Sequence, residues 1–162
     1  MSNPIDSKLL RKVAGAFATG VTIVTVLKDD GSVHGMTANS FVSLSLDPPL
    51  VAFSVREEGR MVQYLSVGKA IGISILSDQQ EAISNQFAGR PNDKLVIEME
   101  RHDNGARTIK ACLAWYATTI KNIIPVGDHL MVICQVEELE RAEQGSPLLY
   151  YSGYRTIAQV GA

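Results

Sequence analysis

Most apolar positions in this chain fall in short β-branched or alternating runs separated by turn residues, which is the pattern of strands. The clearest exception is at the start. Ile5, Leu9, Val13 and Phe17 recur every fourth position, and Leu10, Ala14 and Ala16 widen the stripe. Lys8, Arg11 and Lys12 fall largely on the other side, so the spacing predicts a helix over 4–18. Its apolar face is expected to pack on the core rather than on a membrane surface.

GVTIVTVL at 20–27 is rich in β-branched residues and predicts a strand. Lys28-Asp29-Asp30-Gly31 is a turn signal, and a return strand is expected from about Val33. FVSLSL at 41–46 alternates, although Val42 breaks the register, and Asp47-Pro48-Pro49 ends it because proline cannot donate to a ladder. Residues 50–55 predict a further strand, 60–67 a short helix with Met61, Tyr64 and Leu65 on one face, and 70–76 a buried strand. Ser77 and Gln80 have capping-box spacing, so a helix is expected over 78–87 with Gly89 as its terminator. The polar segment 90–110 offers only a short strand at LVIEME. Two long strands, 112–123 and 129–140, flank the turn Pro125-Val126-Gly127-Asp128. The C-terminal stretch reads as two short strands around Gly153, with Tyr150 and Tyr151 pointing to opposite faces.

That makes seven to nine strands and two or three short helices, without repeats or linkers. We expect a single mainly β domain over 1–162, a closed barrel or a sandwich. With 162 residues and 46% apolar positions, the chain is large enough to bury a core without metal or disulfide staples. The net charge of −2 argues against a nucleic-acid partner, which calls for a basic face. Cys112 and Cys134 lie in apolar or alternating segments and are expected to be buried reduced thiols. No run approaches the ~18 apolar residues of a membrane span, and no leader is visible, so a cytoplasmic protein is expected.

Several familiar chemistries find no support. No GxGxxG follows a strand, Gly68-Lys69-Ala70 fails the P-loop pattern, and no GxSxG elbow occurs. His34, His102 and His129 lie far apart, without zinc spacing. What remains is the small polar run Gly35-Met36-Thr37-Ala38-Asn39-Ser40, whose backbone and hydroxyls suit close approach by a flat polar-edged ring. On the residues alone, the plainer reading is a strand-to-strand connection.

GVTIVTV, HGMTANSF, SLSLDPPLV, FAG, GDH and PLLYYSG occur here in that order. Together they resemble the flavin reductase-like family, the small reductase components of two-component flavin monooxygenases, over about residues 8–160. The resemblance implies an FMN-binding split β-barrel with a few short helices, usually homodimeric. It implies hydride transfer from NADH or NADPH to FAD or FMN, with a lean to NADH and FAD, and a partner monooxygenase that receives reduced flavin. A flavin-binding or electron-transfer protein without reductase activity is the alternative on the same barrel. An oligonucleotide-binding barrel would want more aromatic residues than the 6% present.

Carried onto this sequence, the resemblance puts Thr37, Ala38, Asn39 and Ser40 along the flavin ring and Ser43 and Ser45 near its ribityl chain or phosphate. Ser54, Arg56 and Arg60 fall where the family often contacts the phosphate, although Glu57-Glu58-Gly59 stands where a Ser/Thr cluster is common. Phe87, Ala88 and Gly89 match the segment near the ring, and Asp128 and His129 match the turn near the nicotinamide. His129 is the implied catalytic residue, a donor to negative charge on reduced flavin. Tyr154 and Arg155 are nucleotide-site candidates, in the reverse of the usual basic-then-aromatic order.

Overall fold

The computed structural model describes residues 4–158, and strands dominate it as the alternating runs require. In chain order the elements are α1 (Ser7–Ala14), β1 (Thr19–Gly20), β2 (Thr22–Leu27), β3 (Val33–Ala38), β4 (Val42–Leu46) and β5 (Pro49–Arg56). A single 3-10 turn (Val62–Tyr64) follows, then β6 (Ala70–Ile75), α2 (Glu81–Phe87), β7 (Met99–Arg101) and β8 (Arg107–Ile109). The long pair β9 (Ala114–Val126) and β10 (His129–Arg141) precedes the short β11 (Leu149–Tyr150) and β12 (Tyr154–Arg155). The surplus over the expected strand count consists of pieces of two or three residues, too short to leave a periodic signal. The C-terminal tail beyond residue 158 lies outside the described residues.

Seven strands form one antiparallel sheet in the order β3-β2-β6-β9-β10-β5-β4. Its two edge strands, β3 and β4, are consecutive in the chain and separated only by residues 39–41. Four Cα steps reach at most ~14 Å. Seven flat strands at about 4.8 Å spacing would put those edges roughly 29 Å apart. The sheet therefore curls until its edges approach each other.

The interior explains which runs lost their alternation. Residues 22–26 of β2 are all buried because both faces of that strand are covered. Val24 and Val26 face a cluster inside the curl with Phe53, Ile71, Ile73, Ile120 and Val132. Ile23 faces a second cluster with Leu76, Ile109 and Leu148, against which Phe87, Trp115 and Tyr154 pack. Gly72 of β6 lets the β7–β8 hairpin lie against the sheet, since a Cβ there would come within 1.7 Å of the Arg107 carbonyl oxygen. Both cysteines are buried free thiols, and burial pushes each up to about 11.

Several expectations need correction. The N-terminal helix is only Ser7–Ala14, capped by the Asp6 carboxylate on the Lys8 amide at 3.0 Å. Its apolar stripe does not reach the core: Leu9 is 55% exposed, Val13 64% and Phe17 79%. The periodicity marks a helix with an apolar face, but among the described residues no element covers that face. The helix expected over 60–67 shrinks to one 3-10 turn that seats Met61 in the core. Tyr150 and Tyr151 do not split between inside and outside; both are about half exposed because β11 ends between them. The capping-box reading of Ser77 and Gln80 survives in one arm, the Gln80 side chain accepting from the Ser77 amide at 3.0 Å, and α2 begins at Glu81. Gly89 takes the left-handed φ of 83° that ends the helix. Of the Pro125–Asp128 turn, Pro125 and Val126 belong to β9, leaving the two-residue turn Gly127-Asp128 with Gly127 at φ 62°.

Among the described residues, no helix is long and apolar enough to cross a membrane.

Candidate functional site

The curl of the sheet brings β3 alongside β5, and a slot of 360 Å³ opens between them. Met36, Thr37, Ala38, Asn39 and Ser40 form one wall; Ser54, Val55, Arg56 and Gly59 form the other; His129 stands at the rim. β3 is an edge strand, so backbone N–H and C=O groups on its outer side have no strand to pair with. They are available to a ligand with donors and acceptors along one edge.

Each wall is held by side-chain bonds that take several hydroxyls out of direct ligand contact. The Thr37 hydroxyl donates to the Ser84 carbonyl at 2.6 Å, fixing β3 to α2. Ser84, fully buried, pairs through its own hydroxyl with the Tyr154 phenol at 2.7 Å. Ser40 accepts from the Ser54 amide and donates to the Ser54 carbonyl, both at 3.0 Å, strapping the β3–β4 connection onto β5. The Ala38 methyl is buried and its carbonyl accepts from Thr22 at 2.7 Å. Only Asn39 among the four presents an exposed side chain.

His129 begins β10, paired with Arg56 of β5 and Val126 of β9. Its Nδ1 lies 2.7 Å from Asp128 Oδ1. The bond to His129, followed by the attraction of its charge, holds the Asp128 carboxyl below the usual carboxylate range. With Nδ1 committed to that carboxylate, Nε2 is the ring atom left for a ligand. The turn is pinned to the other wall by the Glu57 amide donating to the Asp128 carbonyl at 3.1 Å.

Two further pockets adjoin the slot. One, of 470 Å³, shares Met36, Val55 and Gly59 with it and adds His34, Gly35, Arg60, Phe87 and Gly89. The Phe87 ring lies on Gly35, where a Cβ would sit 2.7 Å from Cε1. The other, of 290 Å³, shares Thr37 and Asn39 and adds Val21, Ala88, Arg90, Tyr150 and Tyr154.

The structure thus gathers Thr37, Ala38, Asn39, Ser40, Ser54, Arg56 and His129 in one slot, with Arg60, Phe87, Ala88, Gly89 and Tyr154 in the pockets beside it. Asp128 lines none of these spaces and is bonded to His129. Ser43 and Ser45 line none of these spaces: β4 lies beyond β5 at the sheet edge, with a bulge between those two serines. Arg155 turns back on its own hairpin, donating to the Tyr154 carbonyl at 2.7 Å and the Ser152 carbonyl at 3.4 Å. Sequence reasoning gave no site role to His34, Val55, Gly59, Ser84 or Tyr150, and singled out Met36 only as part of the Gly35–Ser40 run. His34 directly precedes that run and shares a face of β3 with Met36, which is the signal that would have found it. Nothing in the sequence pointed to Ser84, whose partner lies 70 residues away.

The family model for the flavin reductase like domain matches residues 14–158, and the chain belongs to that family. It is 40% identical over 157 residues to an NADH-dependent flavin reductase of Rhodococcus sp, covering 94% of this chain and 87% of that protein. It is 38% identical over 148 residues to the reductase component of 4-hydroxyphenylacetate 3-monooxygenase from Thermus thermophilus, covering 91% and 94%. Among solved structures it resembles the NADH:FAD oxidoreductase SgcE6 of Streptomyces globisporus C-1027, solved in complex with NAD and FAD fragments. The TM-score is 0.85 and the identity 31%, over 99% of this chain and 100% of the other.

Proposed function

We propose that this protein is an NADH-dependent flavin reductase that delivers reduced flavin, FAD in preference to FMN, to a separate monooxygenase. The observation that carries the reading is the slot between β3 and β5: a free strand edge on one wall, an arginine-bearing strand on the other, and a carboxylate-held histidine at the rim. The names of the relatives above support the choice of NADH, of flavin and of a monooxygenase partner. The curled sheet is consistent with a split barrel, the architecture we assign to it.

A tricyclic ring laid in the slot can meet the unpaired amides and carbonyls of 36–40 with its polar edge, while Met36 and Val55 supply apolar contact. Flavin accepts a hydride at N5 from the dihydronicotinamide. The residues of this chain orient the pair and place charge; no general base is needed for hydride transfer itself. Asp128 orients the His129 ring and supports its imidazolium form, in which Nε2–H can donate toward the charge that reduction adds. The slot is open to solvent at the His129 rim, which suits a flavin that enters and leaves. A second copy of the chain, covering the exposed Leu9, Val13 and Phe17 of α1, would complete a homodimer.

Loss of absorbance at 340 nm tests the reading. NADH oxidation should require added FAD or FMN and continue for many turnovers per protein. Tight flavin retention with no more than one equivalent of NADH consumed would favour an electron-transfer protein instead.

A further inference from the structure

The slot wall carries one oxidisable sulfur. Of the methionines among the described residues, Met61 is in the core, and Met36, Met99 and Met131 are half-buried. Only Met36 of those three lines the slot between β3 and β5, and it lines the adjoining pocket as well, while its inner side packs on the first core cluster. Met99 packs on the second cluster, and Met131 stands opposite Ser54 where β10 pairs with β5; neither lines the slot or the two pockets beside it. The two cysteines are no competing target. Both are buried away from these spaces, and burial pushes their thiols up to about 11, so the reactive thiolate is scarce at neutral pH.

We propose that Met36 is a site of oxidative modification: when reduced flavin stays in the slot and meets dioxygen, one oxygen atom passes to the Met36 sulfur and the other leaves as water. The proposal rests on the flavin-reductase reading above. The electrons balance. Reduced flavin gives up two and returns to its oxidised form, the sulfur gives up two more, and together they reduce dioxygen fully. The O–O bond breaks, an S–O bond forms, and the hydride that flavin carried joins one solvent proton in the water. The product, methionine sulfoxide, is polar where the thioether was apolar, so the wall loses the contact that Met36 gives the ring. Turnover that outruns the flavin-consuming monooxygenase thus weakens flavin binding, and reduction of the sulfoxide restores it.

Aerobic turnover with NADH and FAD, with catalase present and no monooxygenase, followed by peptide mass spectrometry, tests this. Met36 should gain an oxygen about 5-fold or more faster than Met99 and Met131, because proximity to the reduced ring favours it alone. All three are half-buried, so exposure does not create the difference. The same mixture without dioxygen should leave Met36 unmodified. The flavin KM of the oxidised protein should rise roughly 3- to 10-fold, and methionine sulfoxide reductase with a thiol reductant should reverse the rise. Met36→Leu, compared with its own starting KM, should not drift over the same interval. Oxidation spread evenly over the three methionines, Met36 oxidation that catalase abolishes, or Met36 oxidation with an unchanged KM overturns the proposal. So does an equal KM drift in Met36→Leu. Flavin-dependent NADH oxidation that leaves Met36 intact also overturns it, while the reductase reading stands; no flavin-dependent NADH oxidation removes that reading itself. Should the variant not fold, the mass spectra and KM of the unaltered protein decide.

Discussion

Tyr154→Phe removes one oxygen and leaves the ring in place, which isolates the link between the C-terminal hairpin and the slot. In the intact protein the phenol meets the Ser84 hydroxyl at 2.7 Å, and the Ser84 carbonyl takes the Thr37 hydroxyl at 2.6 Å. Ser84 is fully buried, so its orphaned hydroxyl finds no water. Such a loss costs about 1–3 kcal/mol. Ser84→Ala leaves the half-buried phenol, which can turn to solvent, and should cost less, about 0.5–1.5 kcal/mol. The double variant removes both partners, so its cost should fall short of the sum by about 1 kcal/mol. Urea unfolding at one fixed protein concentration measures all four corners of the cycle. Because Thr37 walls the slot, loosening α2 should also raise the flavin KM about 5-fold, the equivalent of roughly 1 kcal/mol, with kcat little changed. Additivity within about 0.3 kcal/mol, together with an unaltered flavin KM, would refute the idea that this bond positions the slot.

His129→Ala should slow flavin reduction about 10- to 100-fold in stopped-flow mixing while flavin affinity changes less than about 3-fold; the opposite pattern would discard the charge-stabilising role. Asp128→Asn keeps the shape but removes the anion from Nδ1, and a smaller drop in kcat, about 3- to 10-fold, is expected. The depressed pKa of Asp128 means its pairing with His129 is complete above the ordinary carboxylate value near 3.9 and is lost as pH falls through the lower folded value. An acid limb that appears only below that ordinary value, and is absent in Asp128→Asn, is the matching pH profile. Gly72→Ala forces a Cβ to 1.7 Å from backbone, so it should cost about 3 kcal/mol or more in denaturant unfolding, and a neutral result would contradict the close approach of the β7–β8 hairpin.

The sequence conveyed the strands through local signals. β-branched runs marked β2 and β6, proline marked the end of β4, and Gly89 and Gly127 marked a helix end and a hairpin turn. The slot's near wall was legible for the same reason, since Met36–Ser40 is contiguous in the chain. Its far wall, the bond of Ser84 to Tyr154 and the placement of Ser43 and Ser45 on the strand beyond β5 depend on how far the sheet curls and on one bulge, which no residue periodicity encodes. Helix α1 shows the reverse failure. Its stripe correctly predicted a helix with an apolar face, but periodicity does not say whether that face meets the chain's own core or something else.

A crystal structure of the protein with bound flavin bears most directly on the account. It should show the ring between residues 36–40 and 54–56, N5 open to an incoming nicotinamide, and His129 within hydrogen-bonding reach of the ring. A ring seated on another surface, with that slot empty, would contradict it.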